Sequence, residues 1–206
     1  MKRFSSALLL AIPLALAGCG QSTSEPAGPK SDKQLTAEIP TTQAPSIAAA
    51  RRYATGFDTG NLMSARQVFV FFDPQCPHCG MFWKEAKELA KDARFTWVPV
   101  AILNRASLNQ GAAILTGQSP VETMDEHEKK LLAGLGGLAA SAADPRFKAI
   151  IERNTRLLES FGATGVPYIL SVNSETGRVY AESRGMPAAK LAAELGWRVT
   201  AGQPAQ

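Results

Sequence analysis

The chain has 206 residues, of which 45% are hydrophobic and 19% charged, a composition that excludes a wholly disordered protein and can build one sizeable core. Lysine and arginine number 22 against 18 acidic residues, a formal charge of +4. Because this charge is mild and no basic stripe with interleaved aromatic residues is visible, the sequence predicts no nucleic-acid partner.

The N-terminus has the pattern of an export signal. Lys2 and Arg3 precede an apolar run over residues 5–17, which is shorter than the roughly 20 residues of a membrane-spanning helix. The run ends in Ala-Gly-Cys19 and resembles the lipobox of bacterial lipoproteins, in which the cysteine is acylated and becomes the new N-terminus. We predict a signal peptide over 1–18 and lipidation of Cys19, with ordinary signal cleavage or an uncleaved anchor as the alternatives.

Three further segments follow the predicted signal. Residues 19–45 are expected to form a lipidated flexible tether, because they are rich in Ser, Thr, Pro, Gln and Gly and poor in large apolar side chains. Residues 46–200 are expected to fold as one domain, and residues 201–206 form a tail. The lipoprotein pattern places the domain in the periplasm, and Gly20 after the lipidated cysteine favours the outer membrane over the inner one.

Alternating strands and helices are predicted within this domain. The strands are rich in β-branched and aromatic residues and cover 67–72, 95–103, 168–172 and 178–182. The helices cover 47–53, 77–91, pieces of 104–143, 145–161 and 187–195. This order predicts an α/β domain with a central mixed sheet and helices on its faces.

The motif Cys76-Pro77-His78-Cys79 lies where the first predicted strand gives way to a helix. The first N–H groups of a helix lack intrahelical partners and carry partial positive charge, so they stabilise a thiolate at Cys76. Pro77 suits the first turn because it has no N–H, and His78 favours the same anion as an imidazolium or as a donor. Cys79 lies one turn further, within reach of a mixed disulfide at Cys76. The motif therefore predicts a redox-active pair, with Cys76, Cys79 and His78 as catalytic residues.

Metal binding is the alternative interpretation of the same residues. A structural zinc ion usually takes two pairs of sulfur or nitrogen ligands, and the sequence has no second pair. A lipoprotein that binds metal, such as a copper chaperone, could use Cys76, His78 and Cys79 as soft ligands, although three ligands on one turn are cramped. We expect no metal site and no cofactor.

The segment from Asp73 to Trp83 resembles the catalytic region of the DsbC/DsbG family of periplasmic disulfide isomerases, and the resemblance extends over about 67–197. It implies a thioredoxin-like fold with a helical insertion over about 104–143. It also implies that Cys76 is the nucleophile and Cys79 the resolving cysteine.

Val166-Pro167 precedes a predicted strand, at the place where the thioredoxin-like fold carries a cis proline facing the cysteine pair. A cis bond here would turn the Val166 backbone towards Cys76, where a substrate segment could pair with it like an added strand. Val166, Pro167 and Pro77 are the residues expected to bind substrate.

Three features depart from the DsbC/DsbG pattern. A tether stands where those proteins have a dimerisation domain, so a monomer is expected. Val166 and the pair Pro77-His78 resemble the oxidase DsbA, and that dipeptide favours the dithiol form and an oxidising potential. The implied partners are client proteins with thiols, disulfides or sulfenic acids and a membrane redox partner, either a DsbD-like reductant or a DsbB-like oxidant, with the membrane itself contacted through the lipid on Cys19.

Four residues near the motif or in the insertion have structural interpretations. Phe82 and Trp83 are expected in the core rather than in a substrate groove. Asp73 is expected to be a turn residue rather than a proton acceptor for Cys79. His127, within Glu-His-Glu-Lys-Lys, is expected on a solvated helix face.

Overall fold

The structure is a computed structural model, and it describes residues 37–198. The predicted signal peptide, Cys19, most of the tether and the tail over 201–206 lie outside these residues and stay predictions. Within the described part of the chain, no helix is long and apolar enough to cross a membrane.

Five strands form one mixed sheet in the described residues. They are β1 (Phe57–Gly60), β2 (Gln67–Phe72), β3 (Arg94–Pro99), β4 (Tyr168–Val172) and β5 (Val179–Glu182). The strand order is β1-β3-β2-β4-β5. Strands β2 and β3 are parallel, whereas the other neighbours are antiparallel. The predicted mixed sheet is confirmed, although the sequence analysis missed β1.

Six helices accompany this sheet within residues 37–198. They are α1 (Ile47–Tyr53), α2 (Pro77–Glu88), α3 (Arg105–Thr116), α4 (Pro120–Leu132), α5 (Pro145–Ser160) and α6 (Ala188–Glu194). The Ser46 side chain caps α1 and the Ser119 side chain caps α4. Helices α3 and α4 form the predicted insertion, and α4 packs against α2.

Two predicted elements end earlier than expected. Helix α2 ends at Glu88 rather than at residue 91, because the chain turns there through hydrogen bonds such as Ala90 N–H to Lys87 O. Strand β3 ends at Pro99 rather than at residue 103. Beyond Pro99 the N–H groups of Ile102 and Leu103 donate to the Asp73 carboxylate instead of to the sheet.

Strand β2 is buried on both faces and separates two cores. Val68, Val70 and Phe72 pack towards α2 and α6. Phe69 and Phe71 pack towards α1 and α5 on the opposite face. Because side chains alternate along a strand, this continuous apolar run fixes β2 at the centre, and the chain emerges at its carboxyl end at Asp73.

The chain ahead of α1 contacts the second of these cores. The Gln43 N–H donates to the Ser160 carbonyl oxygen at 2.8 Å, and Ile39 packs against the same side of the sheet.

Candidate active site

The cysteine pair lies at the start of α2, directly after the carboxyl end of β2. Cys76 is the N-cap residue of α2, with Pro77 in its first turn. Cys76 is 4% exposed and Cys79 is fully buried, whereas Pro77 and His78 are exposed. Both cysteines are free thiols. The predicted strand–motif–helix junction is therefore present, with both thiols buried and the two residues between them exposed.

The environment of Cys76 favours its thiolate and lowers its pKa from 9.0 to about 6. The largest cause is a hydrogen bond from the Cys79 thiol, and the N–H groups of Cys79 and His78 add to it. Burial acts in the opposite direction, and the charge of His78 is the smallest contribution. Helix-start donors and the second thiol thus stabilise the anion more than the histidine does.

The environment of Cys79 has the reverse effect. Burial raises the pKa of its thiol well above the ordinary value, and the nearby Cys76 sulfur raises it further. At neutral pH the pair therefore consists of one thiolate, Cys76, and one protonated thiol, Cys79. Cys79 must lose its proton before it can act as a nucleophile.

Val166 and Pro167 face the cysteine pair from the start of β4. The Val166–Pro167 peptide bond is cis, as predicted. Cys76 Sγ lies 3.5 Å from the Val166 carbonyl oxygen, which accepts a hydrogen bond from the thiol when Cys76 is protonated. A β-carbon added at Gly185 would lie 3.2 Å from Phe82 Cβ and 3.3 Å from Pro167 Cγ. The segment after β5 therefore passes close to the site.

Asp73 organises the loops at the carboxyl ends of β2 and β3. It is fully buried, and its carboxylate accepts hydrogen bonds from the N–H groups of Gln75, Ile102 and Leu103 at 2.7–2.9 Å. The Ser107 hydroxyl at the start of α3 also donates to it at 2.6 Å. Asp73 therefore fixes the turn before Cys76, as predicted, and also joins that turn to the insertion.

His127 does not lie on a solvated face, so that prediction is wrong. It is fully buried, with Nε2 2.6 Å from the Pro74 carbonyl oxygen and Nδ1 accepting the Leu138 N–H at 3.2 Å. Burial lowers the pKa of His127, so the ring stays neutral and donates from Nε2 to Pro74. This contact ties α4 to the turn that leads into Cys76.

The adjacent Glu128, which the sequence analysis did not single out, points at the start of α2. It is 1% exposed, and neither of its carboxylate oxygens has a hydrogen-bond partner among the described residues. A β-carbon added at Gly80 would lie 2.1 Å from Glu128 Oε2. The carboxyl therefore rests against the backbone of the residue that follows Cys79.

The two aromatic residues that follow the motif belong to the core, as predicted. Phe82 and Trp83 are 1% and 2% exposed. The Trp83 ring lies 4.7 Å from that of Trp97 in an edge-to-face arrangement, and its Nε1–H donates to Asp125 at 2.6 Å. These contacts hold α2 against the sheet and thereby hold the site.

Metal binding stays the untested alternative. Within residues 37–198, no group of three or more His, Cys, Asp or Glu side chains is arranged to hold a metal ion.

This fold and this cysteine pair define a thioredoxin-like protein. The family model described as "Thioredoxin-like domain" matches residues 61–196, and the chain belongs to that family.

Among curated proteins, the chain is similar to members of the DsbC/DsbG group, as the sequence motif indicates. The chain is 32% identical over 139 residues to the thiol:disulfide interchange protein DsbG of Pseudomonas aeruginosa, covering 66% of this chain and 53% of that protein. It is 30% identical over 111 residues to DsbC of Haemophilus influenzae, covering 52% and 44%. The chain thus spans about half the length of the curated relatives it matches.

Solved structures support the fold. A disulfide interchange protein from Neisseria gonorrhoeae matches with a TM-score of 0.51 and 20% identity, covering 68% of this chain and 92% of that one. A periplasmic thioredoxin-like protein from Salmonella enterica matches with a TM-score of 0.52 and 16% identity, covering 67% and 86%. The predicted α/β, thioredoxin-like fold with a helical insertion is confirmed.

Proposed function

We propose that this chain is a thiol:disulfide oxidoreductase that exchanges disulfides with client proteins through Cys76 and Cys79. The observation that carries the proposal is the arrangement of Cys76, a thiol with a pKa near 6 at a helix start and 3.5 Å from the Val166 carbonyl oxygen. The names of the curated relatives, thiol:disulfide interchange proteins, support the same chemistry.

The exchange proceeds through a mixed disulfide. The Cys76 thiolate attacks one sulfur of a client disulfide, and the other client sulfur leaves as a thiolate. Cys79 then loses its proton and attacks Cys76 Sγ, which releases the client thiolate and forms the Cys76–Cys79 disulfide. The reverse sequence oxidises a client dithiol. A client sulfenic acid is a further substrate of the same thiolate, with water as the leaving product.

The client is proposed to dock beside Val166, Pro167 and Pro77. Val166 is half-buried next to Cys76, and Pro77 is exposed at the start of α2. An extended client segment can pair with the backbone at Val166 while its sulfur meets Cys76. A membrane redox partner would then restore the redox state of the Cys76–Cys79 pair. The periplasmic location and the lipid on Cys19 stay predictions from the sequence.

The reduction potential of the pair tests which way the exchange runs. At pH 7 a thiol with a pKa of about 6 is about ten-elevenths ionised, which stabilises the dithiol form by about 1.4 kcal/mol, or about 30 mV. The thioredoxin cysteine, with a pKa of about 7, is already half ionised at this pH, so we expect equilibration with glutathione to give a potential about 20 mV less negative than that of thioredoxin at about −270 mV. A value at or below that of thioredoxin would contradict an oxidase or isomerase and indicate a reductase.

A further inference from the structure

We propose that the Glu128 carboxylate on α4 accepts the proton of the Cys79 thiol when Cys79 attacks the mixed disulfide, and returns it in the reverse step. This inference rests on the exchange reaction proposed above. It gives the helical insertion a part in the chemistry in addition to its structural contacts.

The first observation is that Glu128 is buried without a partner. A buried carboxyl ordinarily accepts hydrogen bonds from backbone or side-chain donors, as Asp73 does with four of them. Glu128 is 1% exposed, and both of its oxygens lack such donors among the residues described. An unpaired buried acid beside reactive groups is a sign of function rather than of stability.

The second observation is where the carboxyl lies. Its Oε2 atom touches the Gly80 backbone so closely that a side chain at Gly80 would collide with it. Gly80 immediately follows Cys79, which is fully buried and protonated. The charge of Glu128 also acts on the Cys79 thiol and raises its pKa, and because both side chains are almost wholly buried, bulk water has little access to the Cys79 proton.

The charges around Glu128 come mainly from α2. Burial raises the pKa of Glu128 to about 8, the Cys76 thiolate raises it further, and the Lys84 ammonium lowers it. Helix α3 carries one charged residue, Arg105 at its first position, and Asp58 of β1 is paired with an arginine of β3. Cys76 is therefore the charge near Glu128 whose state changes during exchange.

This coupling matches the order of the reaction. While Cys76 is a thiolate, burial and the negative charge of Cys76 together hold the proton on Glu128. Once Cys76 joins a mixed disulfide that charge is gone, so the pKa of Glu128 falls and a larger fraction of the carboxyl is ionised. The base thus becomes available at the step in which Cys79 must lose its proton.

The proposed step balances in atoms and electrons. The Glu128 carboxylate takes the Cys79 proton, the Cys79 thiolate forms a bond to Cys76 Sγ, and the bond from Cys76 to the client sulfur breaks. The client sulfur leaves with the electron pair as a thiolate. In the reverse direction, Cys79 leaves as a thiolate and receives the proton from the Glu128 carboxylic acid.

Ellman's disulfide separates the two chemical steps in the reduced full chain. Attack by Cys76 releases one coloured aromatic thiolate, and the attack by Cys79 on the resulting mixed disulfide releases a second. Stopped-flow absorbance across a range of pH measures both phases. The variants are Glu128→Gln, Glu128→Asp and, as a matched control on the exposed face of the same helix, Glu126→Gln, whose carboxylate pairs with Lys130.

We expect Glu128→Gln to leave the first phase within about twofold and to slow the second by about a hundredfold near neutral pH, the scale of a lost general base. The second phase of the wild-type protein should level off above the Glu128 pKa, whereas in Glu128→Gln it should keep rising about tenfold per pH unit. Glu128→Asp should recover part of the rate, and Glu126→Gln should match wild type.

Equal rates and equal pH profiles in wild type and Glu128→Gln would overturn the inference while leaving the exchange function intact. If Glu128→Gln does not fold, the wild-type profile decides, because a second phase that rises without levelling off up to high pH overturns the assignment. A wild-type first phase no faster than that of an ordinary cysteine would instead refute the proposed function itself.

Discussion

Replacing Cys76 by serine is expected to reduce disulfide exchange at least about a thousandfold, because the hydroxyl cannot supply the sulfur nucleophile. Cys79→Ser should keep the first step and lose the second, since the serine hydroxyl can still donate to Cys76 and the helix-start N–H groups remain. A mixed disulfide at Cys76 should therefore accumulate. Exchange of a protein disulfide, followed by mass spectrometry of trapped adducts, measures both effects.

The chain supplies its own control for this experiment, because it has a third cysteine. Cys19→Ser should exchange disulfides at the wild-type rate, since Cys19 stands outside residues 61–196, which the thioredoxin-like family model matches. Undiminished activity in Cys76→Ser, or an adduct that maps to another cysteine in Cys79→Ser, would refute the proposed function.

The second large effect concerns stability and pH. Burial raises the folded-state pKa of Glu128 from 4.5 to about 8, so the folded protein holds a proton that the unfolded chain releases. Stability therefore falls as pH rises between these two values, by an amount on the order of 5 kcal/mol for such a shift. Glu128→Gln carries no such proton and should lose this pH dependence.

Denaturant unfolding of the reduced proteins at several pH values measures this difference. Relative to wild type, Glu128→Gln should gain several kcal/mol in free energy of unfolding between about pH 5 and pH 8. Because Cys76 titrates in both proteins, its contribution to the pH dependence of the free energy of unfolding largely cancels when the two are compared. Glu126→Gln is the control and should follow the wild-type curve. If the difference in free energy of unfolding between Glu128→Gln and wild type does not change with pH, Glu128 titrates normally in the folded state and the prediction is wrong.

The centre of the fold and the reactive pair are predictable because local and tertiary signals agree there. The continuous β-branched and aromatic run over 67–72 forms β2 with those bounds. Pro77 begins α2, since a residue without an N–H is best tolerated in the first turn. The motif alone then predicts that the two cysteines form a redox-active pair.

Strand β1 was missed because its conformation depends on a distant partner. Of its four residues only Phe57 is buried, and Asp58 and Gly60 are poor strand formers. Its backbone is held by antiparallel pairing with β3, from Phe57 opposite Trp97 to Gly60 opposite Arg94. No local pattern encodes such a pairing.

The position of His127 was predicted wrongly for a different reason. His127 and Glu128 stand among Glu126, Lys129 and Lys130, and such a run is usually solvated. The spacing, in contrast, indicates burial, because His127 and Glu128 follow Met124 by three and four positions. All three residues lie on one buried face of α4. Two ionisable groups on a buried stripe indicate contact with a polar site, but the sequence could not show that this site is the turn into Cys76 and Gly80.

The acidity of Cys76 is the property on which the proposed chemistry depends. Ultraviolet absorbance of the thiolate in the reduced full chain, titrated against pH, measures it directly, with Cys76→Ser identifying which transition belongs to this thiol. The account predicts a midpoint near pH 6, with Cys79 titrating far above it. A midpoint near 9.0, the ordinary value for a cysteine, would contradict it.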